Sequence, residues 1–128
     1  MIRLNEIISN KLTISLYHCT PKENVDDIKK NGLLMNKIIE GEEGNWFSSE
    51  PNLVYGNSCF VCEFPIDELV KIWDMDLFGK NTEEWKNMDE EDKEDWLWDM
   101  NENYGLQICI PYNISPKKLK LIKENKND

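Results

Sequence analysis

Between Leu12 and Gly32 the chain spells out a strand, a tight turn and a short helix in immediate succession, and no other stretch restricts the possible folds as strongly. Leu12 to Tyr17 has the β-branched and aromatic content that suits a pleated, half-buried surface. It runs into Thr20-Pro21-Lys22-Glu23, where several helix-start signals coincide. Thr20 is expected as the N-cap, Pro21 as the first helical residue and Glu23 as the reciprocal partner of a capping box. Val25 and Ile28 then lie one turn apart on the side to be buried, and Asn31-Gly32 stops the helix, glycine accepting the left-handed backbone that ends it.

The elements that follow alternate in kind. A glycine-containing polar loop, 40–44, leads to a short aromatic strand, Asn45-Trp46-Phe47-Ser48. Ser49 is expected to cap a short helix over Pro51 to Tyr55, closed by Gly56-Asn57. Ser58 to Phe64 reads as a strong strand ended by Pro65, Ile66 to Val70 as a helical turn, and Lys71 to Trp73 as a short strand. Residues 74–103 hold much of the acidic excess, and Thr82 is placed to cap an amphipathic helix with Trp85, Met88 and Trp96 near one face, expected to fold against the sheet. Leu106 to Ile110 and Leu119 to Ile122 are the last two strands, with a turn over 111–116 between them. At 128 residues one core is the expectation, so the sequence predicts a single α+β domain, 1–128, with a split, mostly antiparallel sheet and an acidic helical insertion over 74–103.

Charge and cysteine usage narrow the function classes. A net charge of -10, from 25 acidic and 15 basic residues, repels a nucleic-acid backbone, and the clustered Lys117, Lys118, Lys120 and Lys123 read as a solvated face, so no nucleic acid is expected as a partner. No secretory signal and no apolar run long enough to span a membrane is seen, which gives a cytoplasmic, non-membrane expectation. Cys19, Cys59, Cys62 and Cys109 are accordingly expected as reduced thiols. Cys59-Phe60-Val61-Cys62 has the form of a zinc half-site, but it lies inside a strand-like run with no second pair, so core cysteines and no metal are expected. Arg3 as the sole arginine, among many Asn and Ile, suggests a bacterial or phage source with an A/T-rich genome.

The single histidine, His18, stands where the first strand meets its turn. Tyr17-His18-Cys19-Thr20, followed by a helix ending in Asn31-Gly32-Leu33, resembles the opening of ADP-ribosyltransferases. Their next motifs stand here in the same order: Gly44-Asn45-Trp46-Phe47-Ser48-Ser49 followed by Tyr55, the strand Cys59 to Pro65, and Gln107-Ile108-Cys109-Ile110-Pro111. The resemblance covers residues 16–122.

It implies an NAD-dependent mono-ADP-ribosyltransferase acting on a protein, or a degenerate NAD-binding member of that fold. By the resemblance His18 hydrogen-bonds the adenine-side ribose of NAD, the backbone of Cys19 holds the nicotinamide amide, and Tyr55 stacks on the nicotinamide ring beside Trp46, with Thr20 and Ser48 completing the binding set. Gln107 takes the place of the catalytic glutamate, and Cys19 that of a glycine. An amide keeps the hydrogen bond to the ribose but lacks the charge that stabilises the cationic transition state, a loss of roughly 10²- to 10³-fold in rate. Two rivals remain from the residues. One is a non-enzymatic phage or plasmid inhibitor whose acidic segment covers a basic surface of a host defence protein. The other is a relative of the RNA 2′-phosphotransferases, which need arginines that Arg3 alone does not supply.

Overall fold

The computed structural model describes residues 13–34 and 44–123, and divides the chain into two compact units. One, the sheet unit, comprises Ser15–Cys62 and the residues from Gln107 on; the other, the helical unit, is centred on 63–106. In chain order the elements are β1 (Thr13–Thr20), α1 (Val25–Asn31), β2 (Asn45–Ser48), β3 (Ser58–Pro65), α2 (Ile66–Asp74), α3 (Glu83–Lys86), α4 (Glu90–Asp99), β4 (Gln107–Ile110) and β5 (Lys120–Lys123). The fold is α+β, as expected, with one five-stranded antiparallel sheet in the order β4-β2-β1-β3-β5.

Alternation decides what the sheet buries. Leu16 on β1, Phe47 on β2, Phe60 and Cys62 on β3 and Ile108 and Ile110 on β4 are all buried, and α1 adds Val25 and Ile28 to the core of this unit. Register locks the edges: Asn45, Trp46, Phe47 and Ser48 stand opposite Ile110, Cys109, Ile108 and Gln107, and Tyr17 stands opposite Ser48. β3 meets β5 through an irregularity between Cys59 and Phe60. Gly32 ends α1 with φ 76° and lies so close to the Ile114 carbonyl that a side chain has no room, which is why the Asn31-Gly32 stop is obligatory here.

Two local expectations of this unit are corrected. Thr20 is the last residue of β1 and not a helix cap; it is buried, and its hydroxyl accepts a hydrogen bond from Asn24 Nδ2 at 2.9 Å. The chain leaves Pro21 through a 3-10 turn, Lys22–Asn24, before α1 begins, so no capping box forms. Likewise Asn52, not Ser49, does the capping in the next loop: its Oδ1 accepts from the Val54 N–H at the head of a 3-10 turn, Leu53–Tyr55, that stands where the sequence suggested a helix.

The helical unit has a core of its own. α2 runs unbroken from Ile66 to Asp74, so Lys71 to Trp73 is not a strand; Ile66, Leu69, Val70 and Ile72 are buried at helical spacing, and Asp67 and Glu68 sit favourably in its first turn. Thr82 does cap a helix, its hydroxyl accepting from Trp85 N–H, but that helix is only α3. Asp89 caps α4 separately by accepting from Asp92 N–H. α4 then loosens into a π-helical turn over Met100–Tyr104. Trp73, Trp85 and Trp96 pack ring against ring, with centroids 6.1, 5.5 and 5.3 Å apart in tilted and edge-on arrangements that suit their quadrupoles. Trp85 is 2% exposed, and its indole N–H donates to Asp74 Oδ1 at 2.9 Å; Lys93 reaches the same oxygen at 2.9 Å while lying over the Trp85 ring. With Leu97 fully buried as well, residues 74–103 supply Trp85 and Leu97 to this core.

Candidate functional site

The register of β1, β2 and β4 sorts the residues singled out from the sequence onto two faces. Tyr17, Ser48 and Gln107 are successive partners across three adjacent strands, so their side chains share one face, with Cβ atoms of neighbours about 4.5–5.5 Å apart. Trp46 and Cys109, partners two residues along, lie on that same face, as does Cys19 by alternation from Tyr17. Gln107 is exposed and Tyr17, Trp46 and Ser48 are half-buried, so this face presents a phenol, a hydroxyl and an amide to solvent. The Ser48 hydroxyl donates to the Glu50 carbonyl at 2.6 Å, leaving its lone pairs to accept.

His18 faces the other way. Its ring lies 5.5 Å from that of Phe47, and its Nδ1–H donates to the Trp46 carbonyl at 2.9 Å, which fixes the proton on Nδ1 because a carbonyl can only accept. Burial pushes its pKa below the usual histidine range, and the hydrogen bond to Trp46 opposes that only in part, so the ring is neutral and Nε2 is an acceptor. His18 therefore adds a side-chain tie between β1 and β2 one step beyond the Tyr17–Ser48 pair.

Cys19 is joined to Cys59 by a disulfide, which corrects the reduced-thiol expectation for this pair; Cys62 and Cys109 are buried free thiols. The two bridged residues occupy neighbouring strands with Cα atoms 4.0 Å apart, closer than the usual separation of a directly opposed pair. The Cys59-x-x-Cys62 pair is thereby broken up as a metal half-site, and among the described residues no group of three His, Cys, Asp or Glu side chains is gathered to hold a metal ion.

Thr20 is buried at the end of β1, and Tyr55 is 62% exposed on the Leu53–Tyr55 turn. Gly56, with φ 148°, presses that turn against the Thr20–Pro21 backbone so closely that no Cβ fits between. Tyr55 is thus tied to the Thr20 end of β1, three residues or about 10 Å along from Tyr17. Of the expected set, the structure gathers Ser48, Gln107, Trp46 and Cys19 on one face and leaves His18 and Thr20 on the other. Tyr17 is the residue that sequence reading missed; alternation from the buried Leu16 puts it on the opposite face of β1, and the register sets it against Ser48. Comparison with known proteins finds no matching family, no matching curated protein and no matching solved structure.

Proposed function

We propose that the chain is a degenerate, NAD-binding member of the ADP-ribosyltransferase fold, with at most weak transfer of one ADP-ribose to a protein. The observation that supports this reading most is the row Tyr17–Ser48–Gln107, three hydrogen-bonding side chains from three adjacent strands on one accessible face. A sugar with vicinal hydroxyls needs such a row: Ser48 accepts, Tyr17 gives or takes a proton, and Gln107 offers both a carbonyl and an amide N–H. Trp46 on the same face supplies an aromatic wall for a flat heterocycle. What the row lacks is charge, since Gln107 stands where a carboxylate would stabilise the cation formed on leaving-group departure; an acceptor bringing its own carboxylate would supply it.

The experiment is a thermal-shift titration with millimolar NAD, paired with an NAD-hydrolysis assay of Gln107→Glu. NAD should raise the melting temperature of the wild type, and Gln107→Glu should raise hydrolysis about tenfold or more. NAD binding without any gain in Gln107→Glu removes residue 107 from the reacting centre; no shift with NAD removes the nucleotide site altogether.

A second reading is favoured by a different observation. Between Glu63 and Leu106 stand fifteen of the 25 acidic residues and only four of the 15 basic ones. α4 carries Glu90, Glu91 and Asp92 in its first turn, where they suit the helix dipole, but it has no basic residue in its last turn, and Asp99 and Glu102 lie at the end where a negative charge is unfavourable. Met75, Leu77, Phe78, Trp98 and Tyr104 are exposed among these carboxylates. Such a surface suits a basic protein target, and supports a binder of a host protein in place of an enzyme. Capture of a basic partner by Gln107→Ala as strongly as by wild type, with no NAD effect on either, is the outcome expected of a binder.

A further inference from the structure

Among its described residues the sheet unit buries three polar side chains, Asn45, Thr20 and Ser58, and all three occupy the same end of adjacent strands. Asn45 begins β2, Thr20 ends β1 and Ser58 begins β3. The Cys19–Cys59 bridge joins directly opposed residues, and Gly56 lies against Thr20–Pro21, so β3 runs antiparallel to β1 with Ser58 facing Thr20. By alternation all three share the buried face of Phe47, Phe60 and Ile110.

Two of the three have no partner. Asn45 Nδ2, in a residue 9% exposed, and Ser58 Oγ, in a residue 0% exposed, make no hydrogen bond; Thr20 Oγ1 accepts from Asn24 Nδ2 and keeps its own proton to give. A buried donor left dry costs on the order of 1–3 kcal/mol, so two of them at one end of a sheet are hard to sustain without an acceptor. One step beyond the Tyr17–Ser48 pair, His18 Nδ1–H donates to the Trp46 carbonyl, so a side chain takes part in the strand junction that leads to Thr20 and Asn45.

We propose that this end of the sheet holds ordered internal water, one molecule or a short chain, accepting from Asn45 Nδ2 and exchanging hydrogen bonds with the Ser58 and Thr20 hydroxyls. The three protein groups supply the two to four polar contacts that a buried water requires. Water fits better than an anion because the groups that face it are a neutral amide and two neutral hydroxyls, and burial holds His18 neutral.

The sign of one substitution tests it. If Ser58 is dry, Ser58→Ala removes an unsatisfied hydroxyl and raises the melting temperature. If Ser58 holds water, Ser58→Ala strips a hydrogen bond from it and lowers the melting temperature by roughly 2–6 °C. A second measurement needs no variant: the Asn45 side-chain amide protons of the wild type should show direct water cross-relaxation of the sign given by a long-lived bound molecule. A rise in melting temperature on Ser58→Ala, or an Asn45 amide without such cross-peaks, overturns the proposal.

Discussion

The two units of this chain are built from the same alphabet by opposite electrostatic means. Between Glu63 and Leu106 acidic residues exceed basic ones by eleven, whereas the rest of the chain carries one net positive charge. The helical unit tolerates its charge by keeping carboxylates outward around an aromatic centre, where Lys93 neutralises Asp74. The sheet unit instead buries neutral polar groups and ties strands by a disulfide. The lesson is that the net charge of the whole chain describes neither part: repulsion is concentrated in one unit, and any partner that reads charge will read that unit alone.

The strongest way to break this contrast is to attack the aromatic centre. Trp85→Ala should cost about 3–5 kcal/mol, because it opens a cavity beside Trp73 and Trp96 and strands Asp74 without its indole donor. Urea denaturation followed by far-ultraviolet circular dichroism measures it, and a loss below about 1 kcal/mol would mean that the charged helices do not rest on this ring.

Next in size is the covalent tie of the sheet unit. With 40 residues separating Cys19 and Cys59, opening the bridge should cost about 4 kcal/mol through the gain in freedom of the unfolded chain. The urea midpoint should fall on adding reductant, and should be indifferent to reductant in a Cys19→Ala, Cys59→Ala protein. Equal midpoints for wild type with and without reductant would refute a stabilising role.

The smallest effect sharpens the comparison most, since the two units should answer pH in opposite senses. His18 has its folded pKa below the unfolded value of 6.5, so the unfolded chain binds the extra proton; stability is full above 6.5 and falls as the pH drops below it toward the folded pKa. Glu94 has its pKa raised, by burial first and then by Glu90, Asp67, Asp95 and Glu91, so its folded form takes up a proton before the unfolded chain does. Its contribution is present below the ordinary value of 4.5 and is lost as the pH rises through the folded pKa. His18→Gln should flatten the decline of stability just below pH 6.5, and Glu94→Gln should flatten the decline that begins above pH 4.5. Amide hydrogen exchange resolved by residue assigns each slope to its unit; a common slope in both would dissolve the distinction.

Much of the fold was legible because it is written in local rules. The stop at Asn31-Gly32, the four-residue strand at Asn45 and the strand opening at Ser58 follow from glycine conformation and alternation. What escaped depends on partners distant in sequence. Thr20 has every mark of a cap, yet its place opposite Ser58 holds it in the strand and Asn24 takes its hydroxyl. Lys71 to Trp73 looks extended in isolation, and is helical because Leu69, Val70, Ile72 and Trp73 need one continuous helix to reach the core and Trp85 together. Of the site, Gln107 and Ser48 were visible as a pair of motifs, but their cross-strand pairing, and the inclusion of Tyr17 in place of His18, is set by register, which spacing alone does not encode. The Cys19–Cys59 partnership was hidden for the same reason.

That partnership also governs fidelity. Side chains alternate along a strand, so a slip of β3 by one residue past β1 would turn Phe60 and Cys62 outward and Val61 inward, exchanging core for surface along the whole strand. A covalent link between two opposed residues makes that error impossible within one molecule, and a β3 lent by a second copy could occupy the same place only by carrying the bond across to its neighbour.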